Sequence, residues 1–545
     1  MFERVARPTH TQVRQEANCL GLDLGVDLNR DPVYLSGEVV PSATFARAML
    51  VLGKVVRTIK PAPKDHSAYQ RWVEGEYLKL LAIKEPTLNS QLASLDERST
   101  TLKEKRDKIK EQLLPLMSLV EKRKHNFFNW LYKNDREAWI VLDPIVSVQN
   151  DGTFFEAFSG DESIYARVFL PSAAVKSQDK PSLGTTNIDF SALLERELQR
   201  VRSYRPLSLN IGLKKVDFKT AAATVEEEKI PLPESWVLGL VEVQSALSLA
   251  SITFEMSSQA LAEIIAKLES EKEKHGPRAL RFDLVPNSPI QIVIEPWGYI
   301  YSDDWCQYEG RKTESVRIWG RRRLSVLKDI LVDTDVVSVR FLGSGMPSFW
   351  SVVKDGVELT IGLSGWNSND WASKAKFSAF VPTAKVAKES LPEALKLIQQ
   401  RGFLTNQELS TELGVTAQAA SAILQKLCLQ GKVMYDASKL AYRFRDLFPT
   451  LDFYKESESS RQQSAGIALV RGKKLKLDSV EEVGEIKYLS GSVASGGMTH
   501  LPKVELDLDG RPKFAQCTCA FFNYNRLRQG PCEHMIALIL SVEPS

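Results

Sequence analysis

No apolar run in this 545-residue chain approaches the ~20 residues that a bilayer-spanning helix needs, so no membrane partner is expected. The opening stretch, "MFERVARPTHTQVRQEAN", lacks the apolar centre of a secretory signal. Cysteines number six, and Cys19, Cys306 and Cys428 stand alone. That usage suits a reducing cytoplasm rather than a disulfide framework. An excess of one charge is missing too: 71 Lys and Arg face 68 Asp and Glu, a net +3, so only local clusters can point to a partner. Catalytic signatures are equally scarce. No G-x-x-x-x-G-K-[ST] loop occurs, which excludes ATP hydrolysis by that route, and "GSGMPS" at 343–348 has glycines without a lysine. Neither G-x-S-x-G nor H-E-x-x-H is present. Histidines 10, 66, 125, 275 and 500 are scattered and read as surface residues, and no spacing requires Asp189, Asp303 and Asp304 to meet. The expectation is a protein that is not an enzyme.

What is present divides the chain, whose length calls for three or four domains. Residues 1–65 read as an N-terminal α/β segment packing on the body, with "FARAMLVLGKVVRTI" as an amphipathic helix. Within residues 66–135, Leu88, Leu92, Leu95, Leu102, Ile109, Leu113, Leu116 and Val120 follow heptad steps in very polar sequence. This predicts a helical coiled-coil insertion, kinked at Pro115, with a solvated helix on the next domain as the alternative. Residues 136–380 turn β-rich and predict an α+β body. "ITFEM…SQALAEIIAKLES…ALRFDLV…IQIVIE" and "SVRIWG…RRRLSVLKDIL…VVSVRFLG…FWSVVK" read as two β-α-β-β units that could pair their sheets. Residues 385–448 predict a winged helix-turn-helix: a helix stopped at Gly402, a capping box Thr405/Glu408, a turn at Gly414, a helix capped by Thr416, then two short strands. Residues 450–463 read as a polar linker, and 464–545 as a last domain.

That last domain holds "CTCAFFNYNRLRQGPCEH". Cys517, Cys519, Cys532 and His534 are the ligand types zinc prefers, and four of them complete a closed tetrahedral site. The alternative is three free thiols near a histidine. "KVELDLDGRPKFAQ" reads as a hairpin turning at Asp509-Gly510 that delivers Cys517, and "EHMIALILSV" as a helix carrying His534. The C-x-C, variable gap, C-x-H pattern resembles the SWIM zinc finger, complete at all four ligands. "YARVFLP", "GTTNIDF", "IPLPESW", "WGRRRL", "LSGWNSNDW" and "GPCEHMIAL" further resemble a family of long bacterial SWIM-finger proteins. That resemblance implies Zn2+ as cofactor. It also implies protein partners, MoxR-type AAA+ ATPases and von Willebrand A proteins among them, and it implies no assigned activity.

Cations gather in several places. Arg511, Lys513, Arg526 and Arg528 surround the zinc ligands with Phe521, Phe522 and Tyr524 interleaved, a mixture suited to phosphates and unstacked bases or simply to the finger's own core. Arg471, Lys473, Lys474 and Lys476 precede the hairpin, and Arg321 and Arg322 stand in the third cluster. The second helix of the helix-turn-helix offers Gln418, Ser421, Gln425 and Lys426, and the wing adds Lys432, Lys439, Arg443 and Arg445. Such a surface can sit on a phosphate backbone but is poorly equipped to read sequence. The overall expectation is a multidomain α+β, zinc-binding, cytoplasmic adaptor for protein partners, with DNA as a further partner. A sequence-tolerant nucleic-acid binder is the alternative, and an enzyme within the body the remote one.

Overall fold

The structure is a computed structural model that describes residues 12–15, 20–24, 33–58, 144–365, 370–371, 377, 390–447 and 461–542, with gaps at 178–179, 188–191, 205–206, 212–233, 333, 446, 485, 508–511 and 528–529. The coiled coil expected within 66–135 and most of the 450–463 linker lie outside the described residues. Among those described, no helix is long and apolar enough to cross a membrane.

β1 (Leu35–Val39) leads into α1 (Ser42–Val56), the "FARAMLVLGKVV" helix, whose apolar side chains are almost all buried. Three strands follow, β2 (Ile145–Gln149), β3 (Gly152–Phe158) and β4 (Ile164–Pro171), each rich in β-branched and aromatic residues and buried on both faces. After α2 (Glu234–Leu247) come β5 (Ile252–Ser257) and α3 (Ser258–Ser270), then β6 (Leu280–Leu284), β7 (Pro289–Ile294), β8 (Tyr299–Gln307) and β9 (Glu314–Ile318). Ser257 caps α3 by accepting the Ala260 N–H at 3.2 Å, and Leu261, Ile264, Ile265 and Leu268 form its buried stripe. A tight helical segment at 321–331 then leads to β10 (Val336–Phe341), β11 (Ser348–Lys354) and β12 (Val357–Leu363).

The two β-α-β-β units interlock rather than stand side by side. β5 pairs antiparallel with β10, in an eight-stranded sheet ordered β5-β10-β11-β12-β4-β3-β2 and then Gly184–Asn187. β9 pairs with β6, in a four-stranded sheet ordered β8-β7-β6-β9. Each unit therefore lends its opening strand to the sheet completed by the other. Phe282 of the four-stranded sheet meets Phe254 at 5.8 Å, Phe341 at 4.9 Å and Trp350 at 6.1 Å between ring centroids, so aromatic contacts bind it to the eight-stranded sheet. β1 belongs to a separate five-stranded sheet with Gln12–Gln15, Leu20–Leu24, Val175–Ser177 and Leu207–Ile211.

The winged helix comprises α4 (Ser390–Arg401), β13 (Phe403–Leu404), α5 (Asn406–Leu413), α6 (Ala417–Leu429), β14 (Val433–Asp436) and β15 (Ala441–Phe444). Its local signals act as the sequence predicts. Thr405 Oγ1 accepts the Glu408 N–H while Glu408 accepts the Thr405 N–H at 2.7 Å, and Gly414 takes the left-handed C-cap conformation. Next stand α7 (Arg461–Arg471), β16 (Leu475–Val483), β17 (Ile486–Ser495), β18 (Met498–His500), β19 (Lys503–Leu506), β20 (Pro512–Gln516), α8 (Ala520–Asn525) and α9 (Glu533–Val542). The sheet runs β16-β17-β19-β20, with β18 pairing the end of β17 on the edge opposite β16. α7 and α9 cross closely at Gly466, where an added Cβ would lie 2.8 Å from Ile536.

Candidate metal centre and charged surfaces

β20 carries the chain to Cys517, Cys519 opens α8, and Cys532 immediately precedes α9, whose first turn holds His534. Their ligand atoms all lie within 4.8 Å of one another, and all four residues are buried. A zinc tetrahedron needs ligand separations of about 3.4–3.8 Å, so small rotamer adjustments close this cluster on one ion. Both ring nitrogens of His534 lack a hydrogen-bond partner although buried, which a metal ion would remedy for one of them. Cys519 Sγ also accepts the Phe522 N–H at 3.4 Å, fixing it at the helix start.

The electrostatics ask for a dication. As bare groups, hydrogen bonding from Cys517 and Cys532 holds the Cys519 thiol far below its usual range, while the same crowding with Cys517 and Cys519 pushes Cys532 up. Burial alone would lower His534, but the Cys517 and Cys519 sulfurs beside it outweigh that and raise the ring to about 9. Three thiols cannot all ionise side by side unless a cation sits among them. The set fits Zn2+. Around it, the His500 ring lies 4.2 Å from that of His534, and Glu533 stands 3.9 Å from His534 Nε2. His500 read as a surface residue in sequence; its pairing opposite Val493 is what brings it back beside the metal ligands.

The cations expected to meet nucleic acid or a partner separate sharply. Arg443 and Arg445, read as wing residues on a surface, are buried. Arg443 donates to Asp436 at 2.6 Å and to both oxygens of Asp151 at 2.8 Å, and Arg445 donates to Glu156 at 2.6 Å. Arg167 joins the same network through Glu358 at 2.6 Å and Asp436 at 3.6 Å, and Lys439 reaches Asp151 at 3.1 Å. The wing thus brings Asp436 with three cations, the body Arg167 with three carboxylates, and the charges cancel between them. Burial raises the Asp436 and Asp151 carboxyls, but Arg167 and Arg443 beside the first, and Arg443 and Lys439 beside the second, bring both below the usual range.

Arg321 and Arg322 likewise brace the body, the first from inside and the second at its surface. Arg321 is buried and donates to the Ala279 carbonyl at 2.6 Å and to the Glu295 carbonyl, while Arg322 binds the Leu268 and Glu271 carbonyls and the Glu273 carboxylate. On α6, Lys426 is exposed and Gln418 half-buried, but Ser421 and Gln425 are buried. Gln425 donates to Ser248 of the loop after α2 and, at 2.9 Å, to the Tyr442 hydroxyl, and Gln244 of α2 accepts the Tyr435 N–H at 2.7 Å. The face of α6 opposite its own helical core is thus packed on the body.

At the finger, Phe522 is core, Tyr524 is exposed, and Arg526 is exposed with its guanidinium 5.2 Å from the Phe522 ring centroid. Arg511, Arg528 and the Lys513 side chain lie outside the described residues.

Residues 503–543 match the family described as SWIM zinc finger, and residues 393–434 match winged helix-turn-helix DNA-binding. This chain carries a SWIM zinc finger. No curated protein matches it as a relative. Among solved structures, the proliferating cellular nuclear antigen of Entamoeba histolytica is 13% identical, over 41% of this chain and 89% of that one, with a TM-score of 0.28. PCNA from Thermococcus kodakaraensis is 12% identical over 41% and 90%, with a TM-score of 0.27.

Proposed function

We propose that this protein is a non-enzymatic, cytoplasmic adaptor in which body and winged helix form one scaffold and the zinc finger presents a binding surface to protein partners and to DNA. The observation that carries this reading is the seating of α6, because the face a helix-turn-helix would insert into a major groove is packed against α2 and the loop following it. The metal site supports the non-enzymatic part: four protein ligands fill zinc's tetrahedron and leave no position for a substrate or water. The resemblance to bacterial SWIM-finger proteins adds an AAA+ ATPase or a von Willebrand A protein as the partner to test first.

The winged-helix match favours a second reading, in which the chain reads a defined DNA site through α6. In vitro selection from a random duplex library separates the two. On the adaptor reading no site is enriched, and Gln418→Ala changes nothing. An enriched site whose binding is abolished by Gln418→Ala would make the protein a sequence-specific DNA binder and overturn the proposal. Failure of tagged full-length protein to bind a purified MoxR-type ATPase or von Willebrand A protein would remove that partner class.

A further inference from the structure

Resting on the DNA contact proposed above, we infer that this contact is made by one defined surface: the zinc-proximal half of the finger sheet's outer face. Strand register places the residues. Lys476 pairs with Ser492, while Ser490 pairs with Ser479 on one side and Lys503 on the other, and Lys503 pairs with Gln516. Residues directly opposite one another in antiparallel strands share a face, and positions two apart in a strand do too. Leu489 and Val493 point the other way, into the core beneath α7 and α9. Lys476, Lys503, Ser479, Ser490, Ser492 and Gln516 therefore share one face, on which the two lysines are exposed and the other four half-buried. The α7–β16 turn brings Arg471, Lys473 and Lys474 to its edge, all exposed.

These cations differ from those of the body in having no carboxylate partner within salt-bridge distance among the described residues. Arg471 ends α7 and Lys473 and Lys474 follow it, where positive charge complements the helix dipole. Lys476 and Lys503 sit on strands away from it, so that explanation does not reach them. Among the described residues Asp478 stands beside them at the bulge of β16, and Glu505 follows Lys503 two positions along β19; Glu481 lies farther along the face. The face is thus polarised, positive towards the metal.

Its chemistry favours a phosphate backbone over an acidic protein. Protein interfaces depend on a buried apolar centre, and this half-face offers lysines, serines and a glutamine, with one exposed aromatic, Phe514, at its border beside Glu505. Those are side chains that position phosphates, and no Arg or Asn is placed there to specify bases. Gln516 directly precedes Cys517, and β18 brings His500 against His534, so the ion that closes the site also fixes the strand ends carrying the surface.

The test is fluorescence anisotropy of the full chain with a labelled random-sequence duplex, from 50 to 200 mM salt. Lys476→Glu with Lys503→Glu should weaken binding at least tenfold at low salt, and Lys476→Gln with Lys503→Gln should flatten the log–log salt slope by about two units. Lys426→Glu on α6 should leave both unchanged. Zinc content, measured by elemental analysis, should stay at one equivalent in every variant, so a loss of binding reports the surface rather than unfolding. If the wild-type chain binds duplex while both double variants bind equally well, this surface is wrong and the DNA contact lies elsewhere. If the wild-type chain binds no duplex at 50 mM salt, the DNA contact itself fails. Displacement of duplex by poly-glutamate at equal charge would assign the face to an acidic protein and overturn the inference.

Discussion

The winged helix and the zinc finger both arrived with clusters of Lys and Arg, and the two regions use them in opposite ways. In the winged helix, Arg443 and Arg445 are sealed against carboxylates of the body, while the finger leaves Lys476 and Lys503 facing water. A cation count alone treats them as equivalent. What distinguishes them is the presence of a matching carboxylate at the place where the strand lands. Cohesion differs in kind as well: a shared apolar core and charge complementarity fasten one region to the body, and a metal ion would hold the other closed.

The sharpest way to break that contrast is to remove the metal. Chelation, or Cys519→Ser, should unfold 464–545 and leave the winged helix folded, because binding energy at a structural zinc site, about 10–16 kcal/mol in small fingers, is folding energy. Hydrogen exchange resolved along the chain would reveal it, and protection lost equally in both regions would erase the distinction. Next in size comes the ion network. Arg443→Ala removes the cation that Asp436 and Asp151 share and leaves them only Arg167 and Lys439, and breaking a buried pair costs up to about 3–5 kcal/mol. Lys476→Ala should cost within about 0.5 kcal/mol, as exposed unpaired sites do. Denaturant titration of the two variants side by side measures the gap.

Acid should separate the regions most finely. Asp436 and Asp151 have folded values below their unfolded ones, so the stability they contribute is complete above the ordinary carboxylate range and is lost as pH falls through the depressed values. The zinc ligands must shed protons from thiols to bind, so protons compete for them at higher pH than that. Circular dichroism with a zinc-release dye should therefore report the finger opening first and the winged helix leaving the body second. A single coincident transition would mean that the two are one cooperative unit.

Parts of this were legible in the amino-acid order because they are local. Ligand spacing names Cys517, Cys519, Cys532 and His534, and the capping box at Thr405 and Glu408 needs only three residues of separation. The wing cations were misread because their partners lie far away: Asp151 is 292 positions from Arg443. A signal was nevertheless present. Glu156 and Arg167 interrupt the apolar runs "TFFEAF" and "IYARVFLP", and a charge inside a strand buried on both faces must find a counter-charge. The exchange of opening strands between the two repeated units had no local trace, since either pairing satisfies the same alternation.

That exchange bears on how the chain is made. When β5 leaves the ribosome, the strand that will complete its edge, β10, is roughly eighty to ninety residues from emerging in its turn. The apolar β5 therefore waits beside an incomplete neighbour while α3, β6, β7 and β8 emerge, and β6 waits in turn for β9. Neither half of the body can be finished on its own by a nascent chain or by a truncated gene, so the unit of synthesis is the whole body.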